Sequence, residues 1–409
     1  MGTARSTSRG ALAILCTTVA CAGPNVGDGA GIDPSSGTAS ASFGEPSSGA
    51  TGGGPSSGND SDVSGATDDA TTTAGGNSTA GEDESSGGPS GSVDGIWISA
   101  EELLALPIEG PAWDAVLAAA QADAGTPDLS NQDQANNVRV LAKAYVCVRL
   151  DDAAMCDAVR TAVMAAIGTE DGGRTLALGR ELAAYVIAAD LVPLSEADDE
   201  VFRAWLSDVL DEDLDGQTLV STHETRPNNW GTHAGASRLA AALYLGDDTQ
   251  VERCATVFRG WLGDRETYAG FEYGELDWQA DADAPVGINP VGASIEGHDV
   301  DGVLPDDQRR AGAFAWPPPQ ENYVWEALQG AVAQAVMLER HGYDAFAWQD
   351  AALERALLWL HEQANYPAAA DDTWIPHVVN AFAGTSFPAD VPSSPGKNLG
   401  FTDWTLAPQ

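Results

Sequence analysis

From about Ile96 onward, apolar residues recur three and four positions apart, with proline and glycine at the breaks. That period belongs to helices with one buried face, and the alternation expected of strands is scarce. The spacing predicts helices near 111–124, 131–149, 152–167, 174–191, 196–211, 229–245, 248–264, 319–341 and 347–363. In the fourth of these, Leu176, Leu182, Val186, Ala189 and Leu191 share a face. Arg340 and His341 followed by Gly342 read as a basic last turn and a glycine stop. Helices of similar length joined by short turns imply an all-α array of antiparallel hairpins. Were the array to curve, it would become an (α/α) toroid around a central cleft; periodicity alone leaves that closure open.

Two stretches interrupt the pattern. Residues 265–318 and 364–409 mix Gly, Asp, Pro and aromatics without a clear period. Loops this long inside a compact domain usually serve as lids or binding segments. Their Trp and Tyr residues suit stacking against sugars.

The N-terminal 94 residues have a different character. Residues 1–21 read as an export signal, with Arg5 and Arg9 ahead of the short apolar run Ala11–Ala20, too short to span a bilayer. The run ends in Thr18-Val19-Ala20-Cys21, similar to a bacterial lipoprotein processing site with Cys21 as the lipidated residue. Ordinary cleavage near Ala22 is the alternative. Residues 22–94 are Gly, Ser, Thr, Pro and Asp with almost no large apolar groups, so they cannot bury enough surface to offset their ordering entropy. A disordered linker is expected there, and residues 95–409 are left as the folded domain. An anchor followed by a polar leash implies an exported protein of the periplasm or cell envelope, held to the outer membrane or cell surface by its lipid alone. A monomer is expected.

Formal net charge is −42. The first 94 residues hold 11 of the 61 acidic groups and 2 of the 19 basic ones, which leaves 50 against 17 for the folded part. That balance excludes nucleic acid as a partner. It also opposes long-range steering of a polyanion, although screening over a Debye length of ~8 Å makes the charge within a cleft matter more than the total. Cys147, Cys156 and Cys254 lie in this domain. Cys147 and Cys156 flank a predicted helix–helix turn and could pair in an oxidising compartment; three buried thiols are the equal alternative. No spacing suggests a zinc site.

Four segments carry candidate chemistry. In Arg226–Gly235, Pro227 presets a helix entry and Asn228 or Asn229 can cap it. Asn229 and His233, four apart, share a face near the positive helix end. The small residues Ala236, Ser237 and Ala240 continue that face and would leave room for a ligand; a cap with a core histidine is the competing reading. In Trp316–Gly330 the prolines stop at a helix start, and Tyr323 stands on a face continued by Ala327, Gly330 and Gln334. A packed tyrosine is the alternative. Arg309-Arg310 could grip a carboxylate in bidentate fashion or pair with Asp306 and Asp307. The tail Gly396–Trp404 offers Lys397 and Trp404 as a sugar subsite, or else as a strap against the helices.

The Asn228-Asn229 pair opening a helix, the Tyr-x-x-x-Ala-Leu start at Tyr323 and the segment Leu178–Leu191 resemble the alginate lyase domain of bacterial polysaccharide lyases, over roughly residues 110–390. The resemblance implies an α/α toroid and β-elimination on uronate polymers such as alginate, with no metal or organic cofactor. Asn229 matches the asparagine that helps neutralise the substrate carboxylate, and Tyr323 the tyrosine that acts as acid and is a candidate base. The family's histidine directly follows the Asn pair, where this chain has Trp230; His233 is the proposed substitute. The family arginine lies closer to the tyrosine than Arg309 and Arg310 do.

β-Elimination removes the proton on C5 of a uronate and expels the oxygen on C4. Donors at the carboxylate stabilise the developing enolate-like charge, a role for Asn229 and one of the two arginines, with Asn228, Trp230, Lys397 and Trp404 as further substrate contacts. His233 or a deprotonated Tyr323 would take the proton, and Tyr323 could return one to the leaving oxygen. A free tyrosine titrates near ~10 and needs a cation nearby to act as a base. Two other classes stay open. A glycoside hydrolase would use two carboxylates, with Glu224, Glu272, Glu275, Asp277 and Glu321 as candidates. A non-catalytic glycan-binding lipoprotein would account for the missing histidine at Trp230.

Overall fold

The computed structural model describes residues 95–406. The expected export signal, Cys21 and the linker lie outside those residues. The described part is all-α apart from one small hairpin. Its elements are α1 (Ala100–Ala105), α2 (Pro111–Gln121), α3 (Asn136–Leu150), α4 (Ala153–Ala166), α5 (Thr175–Leu191), α6 (Glu196–Val209), α7 (Leu219–Thr225), α8 (Asn229–Leu245) and α9 (Asp248–Leu262). The antiparallel pair β1 (Ser294–Ile295) and β2 (His298–Asp299) follows. The chain then forms α10 (Pro305–Gln308), α11 (Asn322–Arg340), α12 (Trp348–Glu362), α13 (Ile375–Ala383) and α14 (Thr402–Thr405).

Two kinds of helix are present, and their sequences say why. Helix α6 alternates Phe202, Leu206 and Val209, all buried, with acidic groups that face outward. Burying each of those side chains contributes about 1.5–3 kcal/mol. Helices α5, α8 and α11 are instead buried almost all round, as expected of helices packed between others. α8 packs against α5, α7, α9 and α11, and α3 packs against α2, α4 and α5.

The central helices approach closely. A Cβ on Gly330 of α11 would lie 2.4 Å from the Thr232 carbonyl carbon of α8, and one on Gly179 of α5 would lie 2.9 Å from the Ala234 nitrogen. On the same face of α8, Ser237 donates to the Gly179 carbonyl at 2.8 Å and accepts from the Ala183 N–H at 3.0 Å. The small residues of α8 therefore serve helix contact. The ligand space expected over Ala236, Ser237 and Ala240 is absent: Ser237 is bonded to α5, and all three residues are buried among the packed helices.

The two irregular stretches hold more structure than their composition suggests. Residues 265–318 carry the β1–β2 hairpin and α10, and they place Trp278, Ile288, Val300 and Val303 in the core. Residues 364–406 include α13 and α14. Cys147 and Cys156 form a disulfide across the α3–α4 turn, and Cys254 is a buried free thiol.

Candidate active site

The N-terminal turns of α8 and α11 set the site. Asn228 is the N-cap of α8, its side-chain oxygen accepting from the Trp230 N–H at 3.2 Å. Asn228 is thus committed to the helix start. The Asn229 N–H donates to Asp307 Oδ1 at 3.1 Å, so the positive end of α8 already meets a carboxylate of this chain. Burial, and next the neighbouring Asp306, push the Asp307 carboxyl well above the usual range. The Asn229 carboxamide is fully buried, and neither of its ends has a hydrogen-bond partner among the described residues. Trp230 is half-buried beneath the Arg226 guanidinium, 4.8 Å from its ring.

On α11, Glu321 caps the helix by accepting from the Tyr323 N–H at 3.1 Å. Tyr323 itself is 36% exposed. The Arg310 guanidinium stacks on its ring, 3.6 Å from the centroid, within reach of a cation–π contact. Gln308 donates to the Pro319 carbonyl at 2.8 Å and ties the arginine-bearing loop to the approach of α11. The two arginines separate in role. Arg309 is ion-paired with Asp306 at 2.9 Å and with Glu275, the local pairing that competed with carboxylate binding in the sequence. Arg310 is exposed and forms no ion pair among the described residues.

One turn deeper lies a buried charged layer. Arg180 of α5 is ion-paired with Glu326 of α11, and His233 Nε2 of α8 is 4.0 Å from the same Glu326 oxygen. His233 is fully buried with neither ring nitrogen hydrogen-bonded. Burial, then the Arg180 cation, push its imidazole well below the usual range, so the ring is neutral. Burial raises the Glu326 carboxyl, with Arg180 opposing. Next to Arg180, Glu181 is also buried, and burial raises its carboxyl well above normal.

The loop around Lys397 closes one side of this layer. Its N–H donates to Gln329 Oε1 at 2.7 Å, its carbonyl accepts from Asn137 Nδ2 at 2.8 Å, and its ammonium lies 3.5 Å from Asp371. Gln329 also donates to Asp372 Oδ1 at 2.8 Å. Burial lifts the Asp372 carboxyl to about 8. Trp404 is elsewhere: it is 1% exposed, packs against Trp113 and Tyr145, and donates to the Pro107 carbonyl at 2.8 Å. Its expected sugar contact gives way to the strap role.

The structure therefore gathers Asn229, His233, Tyr323, Arg310 and Lys397 around one end of α8 and α11 and removes Trp404. The hydrolase carboxylates are mostly engaged. Glu224 is held by Arg253 and Arg238, which lower it to about 2. Glu275 pairs with Arg309, Glu321 caps a helix, and Glu272 and Asp277 are exposed. Arg180, Glu181 and Glu326 escaped the sequence reading. Two of them carried a signal: Arg180 and Glu181 are adjacent charges in an otherwise apolar run from Leu176 to Ala189.

Residues 142–276 match the family model described as alginate lyase. That span includes Arg180, Asn229 and His233 and ends before Arg310, Tyr323 and Lys397. No curated protein matches the chain.

Proposed function

We propose that the alginate-lyase likeness of residues 142–276 extends to chemistry, and that this protein cleaves a uronate-containing polysaccharide by β-elimination. The observation that carries the reading is the exposed Tyr323 phenol under the Arg310 guanidinium, at the helix entrance where Asn229 also lies. Tyr323 is the accessible proton-transfer group; His233, fully enclosed, stands behind it. The phenolate takes the C5 proton and the phenol then returns one to the O4 leaving group. Arg310 attracts the negative charge that develops beside it, and Arg310 and the Asn229 amide are the donors for the substrate carboxylate. The Asn229 side chain is fully buried here, so it meets substrate only after a local opening that leaves Arg310 on Tyr323. The paired inner and outer helices support an (α/α) toroid as the scaffold. In this reading residues 95–409 form the catalytic domain, and the N-terminal 94 residues export the protein and tether it by lipid to the cell envelope.

The test is absorbance in the band of unsaturated uronates while the full chain is incubated with a panel of polyuronates and glycosaminoglycans. A rise with one polymer that disappears in Tyr323→Phe supports elimination at this site. New reducing ends without that absorbance would replace it with hydrolysis, and silence in both assays would leave a glycan-binding protein.

A further inference from the structure

The buried layer beneath Tyr323 has no assigned part in this reading, and its geometry gives it one. Glu326 Oε2 is ion-paired with Arg180, and His233 Nε2 lies 4.0 Å from the same oxygen, a near approach without a hydrogen bond in this structure. His233 lies four residues after Asn229 on α8, so the two side chains are neighbours on one helix face. Both are fully buried, and all four of their polar side-chain atoms lack a partner. Which way the Asn229 amide faces decides whether it offers N–H groups or an oxygen to a carboxylate.

We propose that Glu326 and His233 are positioning residues that orient Asn229: the Glu326 carboxylate selects the Nε2–H tautomer of His233, and the bare Nδ1 then accepts from the Asn229 amide nitrogen. One amide hydrogen is held by His233, and the other is left for the substrate carboxylate. A neutral imidazole has one donor and one acceptor nitrogen, and the partner of one fixes the role of the other. An anion at Nε2 requires a donor there. The charges acting on His233 are Arg180 on α5 and Lys397 on the tail loop, and the Glu326 carboxylate of α11 stands 4.0 Å from Nε2. Only Glu326 among them accepts a hydrogen bond, because Arg and Lys carry donors alone. The inference rests on β-elimination only for the use made of Asn229; the tautomer is independent of it.

The first measurement is nitrogen-detected NMR on full chain labelled with 15N-histidine, with the His233 signals assigned by their absence in His233→Asn. The expected pattern is a protonated Nε2 and an unprotonated Nδ1, changed in Glu326→Gln. A protonated Nδ1, an imidazolium, or a pattern unmoved by Glu326→Gln overturns the proposal. Should His233→Asn fail to fold, the signals are assigned by their absence in His233→Gln. The second measurement is kcat on whichever polymer is cleaved. Asn at 233 keeps an acceptor near the Nδ1 position and Gln does not, so His233→Asn should retain at least about tenfold more activity than His233→Gln, a difference of about 1.4 kcal/mol. Equal losses refute the Asn229 step. The expected tautomer with no cleavage of any polymer would remove β-elimination and leave the Glu326–His233 arrangement standing.

Discussion

His223 offers a quantitative check on the packing around α8. It lies on α7, buried, with Nδ1 3.4 Å from Arg238 Nη1. Arg238 is a donor only, so Nδ1 is the bare nitrogen and a proton there would face a guanidinium. Burial, then the Arg238 cation, lower the imidazole to about 3. An unfolded histidine titrates near 6.5. Between these values the unfolded chain carries a proton that the native state does not, so His223 draws stability away as pH falls through that window. From pH 7 to pH 5 the loss is about 2 kcal/mol. Asp372 acts with the opposite sign. Its carboxyl titrates at about 8 when folded and near 3.9 unfolded, so the native state holds the extra proton, and acidification over the same interval adds about 2–3 kcal/mol. The two effects nearly cancel in the wild-type protein.

A substitution separates them. His223→Asn keeps an acceptor at the Nδ1 position and removes the titration. Urea unfolding of both proteins at pH 7 and pH 5 gives four stabilities. The wild-type advantage over His223→Asn should shrink by about 2 kcal/mol on acidification, whatever its size at pH 7. An advantage that stays constant with pH would show that His223 titrates alike in both states, and the argument from burial beside Arg238 would fail.

Other outcomes follow from the same geometry. Tyr323→Phe should lower lyase activity by at least ~100-fold with unchanged unfolding midpoint, since the residue is exposed; a midpoint shift with retained activity would make it a packing residue. Gly330→Ala inserts a methyl 2.4 Å from the Thr232 carbonyl carbon, so it should cost about 1–3 kcal/mol by chemical denaturation, and a neutral effect would mean that α8 and α11 are less closely apposed. The Cys147–Cys156 bridge closes a loop with a sequence separation of 9; replacing both cysteines with serine should cost about 2–3 kcal/mol, read as a loss of sensitivity to reductant in thermal unfolding.

The helices were legible because they are long and apolar at a regular period. Asn229–Leu245 begins and ends where its cap residues and Gly246 place it. The short α7 was not legible: seven residues give too little period, and its signal is the Thr218–Ser221 capping pair. Residues 265–318 read as a lid or binding loop because Trp278, Ile288 and Val303 are spread among Gly and Asp, although tertiary packing buries all three. At the site, Tyr323 and Asn229 stood out through their helix starts, and the structure puts those starts side by side. Glu326 did not stand out, since its meaning comes from Arg180, 146 residues earlier in the chain. Trp404 misled because an aromatic near a lysine suits a sugar subsite and a core strap equally well on composition.

The acidity of the domain and a polyanionic substrate can be reconciled at this site. A domain with 50 acidic groups against 17 basic ones repels a uronate polymer at long range, but beyond ~8 Å that field is screened at physiological salt. Capture then depends on cations within a few ångströms of the cleft that are not already neutralised. Arg180 is matched by Glu326, Lys397 by Asp371, and Arg309 by Asp306 and Glu275. Arg310 instead rests on the Tyr323 ring. A cation–π contact leaves the guanidinium's formal charge uncompensated and its edge donors available to a carboxylate. The one exposed arginine of this cluster without an acidic partner is therefore the group that touches the proposed acid–base residue. In the proposed mechanism, binding of the carboxylate and proton transfer would be coupled through that single contact, so the total charge of the domain would have little say in either.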